Sequence, residues 1–228
     1  MGLAERDYAR AGYSTPRSES KIVLFVKETY KLFGASLMAG AVGSYIGVPL
    51  AVEINSMYFL LFAIEIALLI GLHFVKNKPG VNLLVMFAFV FMTGITISPL
   101  LSYTLGINGG GVVIANAFAM TSIVFGSMSF YAIKTKKDFT QYGKPLFIAL
   151  IVIIAFSIIN IFLGSSVFQI GISAAVTLLF SVMIIYDTQN IMSGRYDTPI
   201  DGAIALYLDF LNIFISLLQL FGLFNSND

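Results

Sequence analysis

The sequence predicts an all-α membrane protein of seven transmembrane helices, and three observations carry that prediction. The 228 residues are 58% hydrophobic and only 11% charged, whereas an ordinary soluble domain carries about 25% charged residues. Seven mostly apolar stretches each reach the length of about 20 helical residues needed to cross ~30 Å of hydrocarbon. Every Lys and Arg falls before the first stretch or in the connectors after the second, fourth and sixth. A water-soluble globule, a disordered chain and a secreted disulfide scaffold are excluded by composition. With no Cys there is no disulfide, thiolate metal site or cysteine nucleophile, and one His builds no histidine metal cluster. A net charge of +1 gives no reason to expect nucleic acid, so the expected surroundings are the lipid bilayer.

The stretches run over residues 32–52, 57–75, 81–104, 111–133, 145–163, 167–192 and 203–224. They lack strand alternation and are too long for barrel strands, so each reads as a helix. Residues 1–20 are polar and contain Pro16, which predicts a flexible tail, with one seven-helix domain over 21–228. The tail is no signal peptide, because the first apolar run starts only near Leu32 and is of full spanning length. Arg6 stands where a myristoylation signal needs Ser or Thr. In the first helix Ala35, Ala39, Gly43 and Gly47 recur every four residues, a small-residue stripe that lets another helix of the same bundle approach closely. The turn Asn108-Gly109-Gly110-Gly111 lacks the Lys-Ser/Thr of a phosphate loop and reads as a tight reversal.

Basic residues set the orientation. Six precede the first helix, two follow the second (Lys76, Lys78), four follow the fourth (Lys134, Lys136, Lys137, Lys144) and one follows the sixth (Arg195). The positive-inside rule then predicts a cytoplasmic N-terminus and an external C-terminus. An even number of spans could not keep this segregation and also use the last apolar run. Tyr30, Tyr58, Tyr103 and Tyr131 lie near helix ends and fit interfacial anchoring.

Ionisable groups inside a bilayer are costly, which makes each a functional candidate. Asp187 follows twenty uncharged residues, about five residues inside the cytoplasmic end of the sixth helix, and Asp209 lies six residues past Ala203 in the seventh. At ~1.5 Å per residue both are roughly 7–9 Å below that end. Consecutive helices with a short connector tend to be neighbours, so the two carboxyl groups can meet. They could not both ionise cheaply there, and would share a proton and change charge near physiological pH. The same oxygens suit a hard cation such as Ca²⁺, held transiently by Asp187 and Asp209. Eleven residues separate Glu65 from Lys76, which puts both on one face of the second helix, about 16 Å apart. Lys76 is expected at the depth of the aspartates as their counter-ion, with Glu65 near the midplane. Together they predict one polar track from Glu65 to a Lys76–Asp187–Asp209 cluster. His73 lies 80° off that face and is read as a satisfied or interfacial histidine.

At these residues the chain resembles the Bax inhibitor family, in its bacterial branch. The segment from Phe180 through Tyr186-Asp187-Thr188-Gln189-Asn190 to Ile191 is similar to that family's sixth-helix motif. The run from Ala205 through Asp209-Phe210-Leu211-Asn212 to Leu218 is similar to its seventh, and Thr93 to Pro99 and Glu65 also match. The resemblance implies six helices wrapped around the C-terminal one, and a pH-sensitive Ca²⁺ leak channel gated by the aspartate pair. Asp187 and Asp209 would be the sensor, Lys76 the latch, and Glu65 with Asp209 the ion pathway. Lys76 stands where the family tends to have an arginine, and a lysine offers no bidentate fork to a carboxylate.

The leading expectation is therefore a passive cation leak of the bacterial inner membrane, with Ca²⁺ as permeant ion, no cofactor and no enzymatic activity. An alternative is an interaction protein that modulates a membrane protease or a stress or death pathway. An intramembrane aspartyl protease is the remote alternative: Tyr186-Asp187 resembles half of that signature, but Leu206-Tyr207-Leu208-Asp209 lacks its Gly-x-Gly-Asp.

Overall fold

A computed structural model describes residues 19–225, and all regular structure among them is helical. The seven spans are Ser20–Ser56, Tyr58–Val75, Val81–Gly106, Gly110–Lys134, Thr140–Leu163, Ser166–Met192 and Pro199–Asn225. Six of them begin within a turn or so of the expected positions. The first begins about three turns earlier than its apolar run. Lys21, Lys27, Glu28 and Lys31 hide this extension from hydropathy, yet Phe25, Thr29 and Phe33 bury one stripe of it against the bundle. Of the expected tail 1–20, residues 1–18 lie outside the described residues, while Glu19 and Ser20 belong to the helix.

Two spans are broken by proline. The first changes from the helix Glu19–Gly47 to a tight 3₁₀ turn at Val48–Leu50 and resumes at Ala51–Ser56; the third breaks at Ile97 between Val81–Thr96 and Ser98–Gly106. Pro49 and Pro99 lack an amide proton, so each is tolerated only where a new helical segment starts. The Asn108–Gly111 reversal passes through Gly109 at φ 69°, a left-handed conformation that glycine adopts without steric cost.

The seventh span runs through the middle of the bundle, with Leu206, Ile213 and Leu218 fully buried. The first, third, fourth and sixth spans pack directly on it, while the second leans on the third and the fifth on the sixth. The six thus surround the C-terminal helix in two layers. A ring cluster joins the first and fourth spans to the seventh, with Phe33 stacked on Phe125 at 4.7 Å and both edge-on to Phe210. The close helix approach expected from small residues occurs between the first and third spans, in a shifted register. Gly40, Gly43 and Gly47 are buried there, whereas Ala35 and Ala39 are only half-buried. Added to Gly43, a Cβ would run into the carbonyl of Phe91.

Candidate functional site

The sixth and seventh spans are joined by the short connector 193–198 and pack along their length. Asp187 and Asp209 are both buried, and their carboxyl groups face each other within hydrogen-bonding reach. Two carboxyl groups can hydrogen-bond only if one keeps a proton, since a carboxylate is acceptor-only. Asp187 has further partners: its Oδ1 accepts from the Tyr196 hydroxyl at 2.6 Å, and Asn190 lies within hydrogen-bonding reach. Asp209 is the deeper of the two, at 1% exposure, and its Oδ2 has no hydrogen-bond partner among the described residues. The first span reaches this level as well, where Tyr30 shares a 3.4 Å hydroxyl contact with Thr188. Tyr30 is thus a packing residue here, beyond the anchoring role its position suggests.

Glu65 occupies a different compartment. Helix two leaves part of the seventh span uncovered, and a cavity of about 510 Å³ fills the gap between the second, third and seventh spans. Glu65 lines it with Tyr58, Thr93, Thr96, Asn212 and Gln219. The carboxyl group is within hydrogen-bonding reach of Thr96, and its buried Oε1 has no partner among the described residues. Asn55, Tyr58 and Gln219 place the cavity toward the lysine-free end of the bundle. On the seventh span its lining is Leu208, Leu211, Asn212, Ile215 and Gln219, while Asp209 points to the sixth span. The expected continuous polar track is therefore divided into two sites.

Lys76 departs from its expected place in the cluster. Its Nζ pairs with Asp197 Oδ2 at 2.5 Å, on the surface of the basic end, and not with Asp187 or Asp209. The hydrogen bond to Asp197 holds the Lys76 ammonium above its usual range. The reason for the departure is the 193–198 connector, which folds across the pair, turning Tyr196 inward to Asp187 and Asp197 outward to Lys76. Sequence reasoning missed both residues because it treated this segment as a plain link. The signal was present as a phenol and a carboxylate inside a connector of six residues, nine and ten positions after Asp187. No group of three or more His, Cys, Asp or Glu able to hold a metal exists among the described residues. Two carboxyl groups without a third ligand fall short of the six to eight oxygens of a resident Ca²⁺ site.

Comparison with known proteins gives the family. Residues 23–226 match the family model described as inhibitor of apoptosis-promoting Bax1. The chain belongs to the Bax inhibitor family. A Campylobacter jejuni protein, Cj0236c, is 46% identical over 230 residues, covering 99% of this chain and all of the relative. A Helicobacter pylori protein is 48% identical over the full length of both chains. The inner membrane protein YbhL of Escherichia coli is 34% identical over 159 residues, covering 64% of this chain and 65% of the relative. The match to the Bax inhibitor model spans all seven helices, so the aspartate pair, Glu65 and the Tyr196 connector all lie within it.

Proposed function

We propose that this Bax inhibitor family member is a passive, pH-sensitive Ca²⁺ leak of the bacterial inner membrane, with its basic end in the cytoplasm and no catalytic step. One observation carries the reading: two buried carboxyl groups on consecutive spans face each other, and the deeper one has an oxygen without a partner. While a proton bridges the pair, the sixth and seventh spans are held together. Once the proton leaves, two like charges remain in a low-dielectric site, where repulsion is many times stronger than in water. The spans then separate unless a cation replaces the proton. Protons and Ca²⁺ thus compete for the same oxygens, which couples pH to ion passage without any energy source.

Glu65 fits the second half of such a path. Its cavity faces the lysine-free end and presents hydroxyl, amide and carboxyl oxygens, the hard ligands that Ca²⁺ prefers. Leu208 and Leu211 of the seventh span belong to the wall of this cavity, so opening requires that span to shift.

Proteoliposomes loaded with a Ca²⁺ dye test the reading across pH ~5.5 to 8, the window a coupled carboxyl pair can sense. Wild type should show pH-dependent influx, and Asp187→Asn and Asp209→Asn should each remove the pH dependence. Wild-type flux equal to that of empty vesicles at every pH would sink the leak and leave the interaction-protein reading.

A further inference from the structure

The connector 193–198 is tied down at both ends. At its start the Gly194 amide donates to the Ile191 carbonyl and the Arg195 amide to the Asn190 carbonyl, closing the sixth helix through Gly194 at φ 66°. At its end Asp201 Oδ2 accepts from the Thr198 amide and hydroxyl, and Thr198 Oγ1 accepts from the Asp201 amide. This reciprocal cap fixes where the seventh helix begins. Between the two anchors stand Tyr196 and Asp197, whose side chains reach opposite ways. The half-buried Tyr196 donates to Asp187, while Asp197, 66% exposed, meets Lys76 at the end of the second span.

We propose that Tyr196 is a positioning residue for the aspartate pair, carried on residues 193–198 as a strap that Lys76 latches through Asp197. The proposal rests on the reading of the pair as the gate and adds how the second span reaches it. Lys76 does not touch either aspartate, but any displacement of the second span's basic end pulls on Asp197 and so on the adjacent Tyr196. Loss of the phenol removes one of the donors that orient the Asp187 carboxyl group toward Asp209. The same movement uncovers the pair at the basic end. The second span also carries Glu65, so the two separated sites are linked through the strap.

The latch and the bond it controls differ in environment. Lys76–Asp197 is a surface ion pair, weakened by salt, whereas the Tyr196–Asp187 bond is half-buried and largely shielded from it. Ionic strength at the basic face therefore acts on the latch first. The groups facing the pair are Tyr196 from the strap and Asn190 from the sixth span, with Tyr186 also near the Tyr196 phenol. From the first span Tyr30 meets Thr188, and Lys76 senses Asp201 besides Asp197.

The test uses the full chain in lipid nanodiscs and an infrared titration of the protonated-carboxyl band, assigned to the pair by its change in Asp187→Asn and Asp209→Asn. Tyr196→Phe should move the midpoint of that band by about one pH unit, the effect of losing one hydrogen bond to a charged group. Lys76→Gln and Asp197→Asn should move it the same way by less and speed amide hydrogen exchange of residues 193–198 several-fold. The reversed pair, Lys76→Asp with Asp197→Lys, should restore both. Because the chain has no native Cys, Lys76→Cys with Asp197→Cys supplies a single cross-link, and its oxidation should hold midpoint and exchange at wild-type values. An unmoved midpoint in Tyr196→Phe overturns the positioning role. An unmoved midpoint in Lys76→Gln, despite a loosened strap, overturns the latch. The band is read without ion flux, so a shifted midpoint in a protein that passes no Ca²⁺ keeps the strap and rejects the leak. Flux with an unmoved midpoint does the reverse.

Discussion

Gly94 rests against the carbonyl of Gly40, so closely that a Cβ built on Gly94 overlaps the Gly40 backbone. The first and third spans meet through these two residues with no side chain between them, which is how packing replaces the hydrophobic effect inside a bilayer. Gly94→Ala should destabilise the folded protein by about 1–3 kcal/mol, the cost of overpacking a backbone contact that cannot relax. Gly34→Ala and Gly71→Ala are the controls, since a Cβ at either meets nothing within 4 Å. Those two should be neutral or stabilising by about 0.5–1 kcal/mol. Thermal or denaturant unfolding in detergent checks the contrast, and equal effects at all three glycines would contradict the contact.

Tyr207 bridges the seventh span to the same seam. Its hydroxyl lies 2.5 Å from Thr93 Oγ1 and donates to the Val90 carbonyl at 3.2 Å, in space that Gly40 leaves open. Tyr207→Phe should cost about 1 kcal/mol, the net worth of a buried hydrogen bond. Thr93→Ala should cost less on this account, because the Tyr207 hydroxyl keeps the Val90 carbonyl. A cost for Thr93→Ala above that of Tyr207→Phe would mean that the threonine's own packing dominates.

Hydropathy located all seven spans because each depends on a property summed over about 20 residues. It failed at residues 20–31, where four charged side chains on the exposed faces outweigh the buried stripe of Phe25 and Thr29. The meeting of Asp187 with Asp209 was legible because both are isolated charges at matching depth on consecutive helices. The separation of Glu65 from that pair was not. It depends on which side of the seventh span faces the second, and period alone does not give the rotation of one helix against another. The true partner of Lys76 was hidden for a related reason: a connector has no periodicity, so nothing in its sequence told which way Tyr196 and Asp197 would turn.

Gln189 shows what one polar residue at a helix end can hold. Its Oε1 accepts from the Phe139 amide at 2.7 Å, and its Nε2 donates to the carbonyls of Lys137 and Ala132. The connector between the fourth and fifth spans thereby hangs on the sixth, two residues from Asp187. Gln189→Ala should leave three backbone groups to water or unpaired and lower stability by about 1–3 kcal/mol. Amide exchange should rise across residues 135–142 and stay unchanged in the seventh span. Protection that persists at Phe139 would show that the connector holds itself.

Acid should loosen that same connector by a separate route. Asp138 accepts from the Thr140 hydroxyl and amide, and these hydrogen bonds hold its carboxyl below the usual carboxylate range. A lowered value means that the stabilisation is present above the ordinary aspartate value of about 3.9 and is lost as pH falls through the lower folded-state value. The turn at Thr140–Tyr142 should therefore fray only below about pH 4, and Asp138→Asn should abolish that acid sensitivity. Fraying already at pH ~6 would point to another group.

Alkali acts on the opposite connector with the opposite sign. The hydrogen bond to Asp197 holds Lys76 above its usual value, and burial, together with the negative charge of Asp187, pushes the Tyr196 phenol up from its own. Both groups bind their protons more tightly folded than unfolded, so their contribution is complete below the ordinary lysine and tyrosine values near 10 and is lost as pH rises through the folded-state values. At every physiological pH the phenol is consequently a donor and the ammonium a cation, so neither group opens the strap by its own titration. The part of the amide exchange in residues 193–198 that these two groups control, corrected for its intrinsic dependence on base, should stay flat to about pH 10 and then climb. In Tyr196→Phe the climb should retain only the Lys76 component, and in Lys76→Gln only the Tyr196 component. A single unchanged climb in both variants would mean that neither group closes the strap.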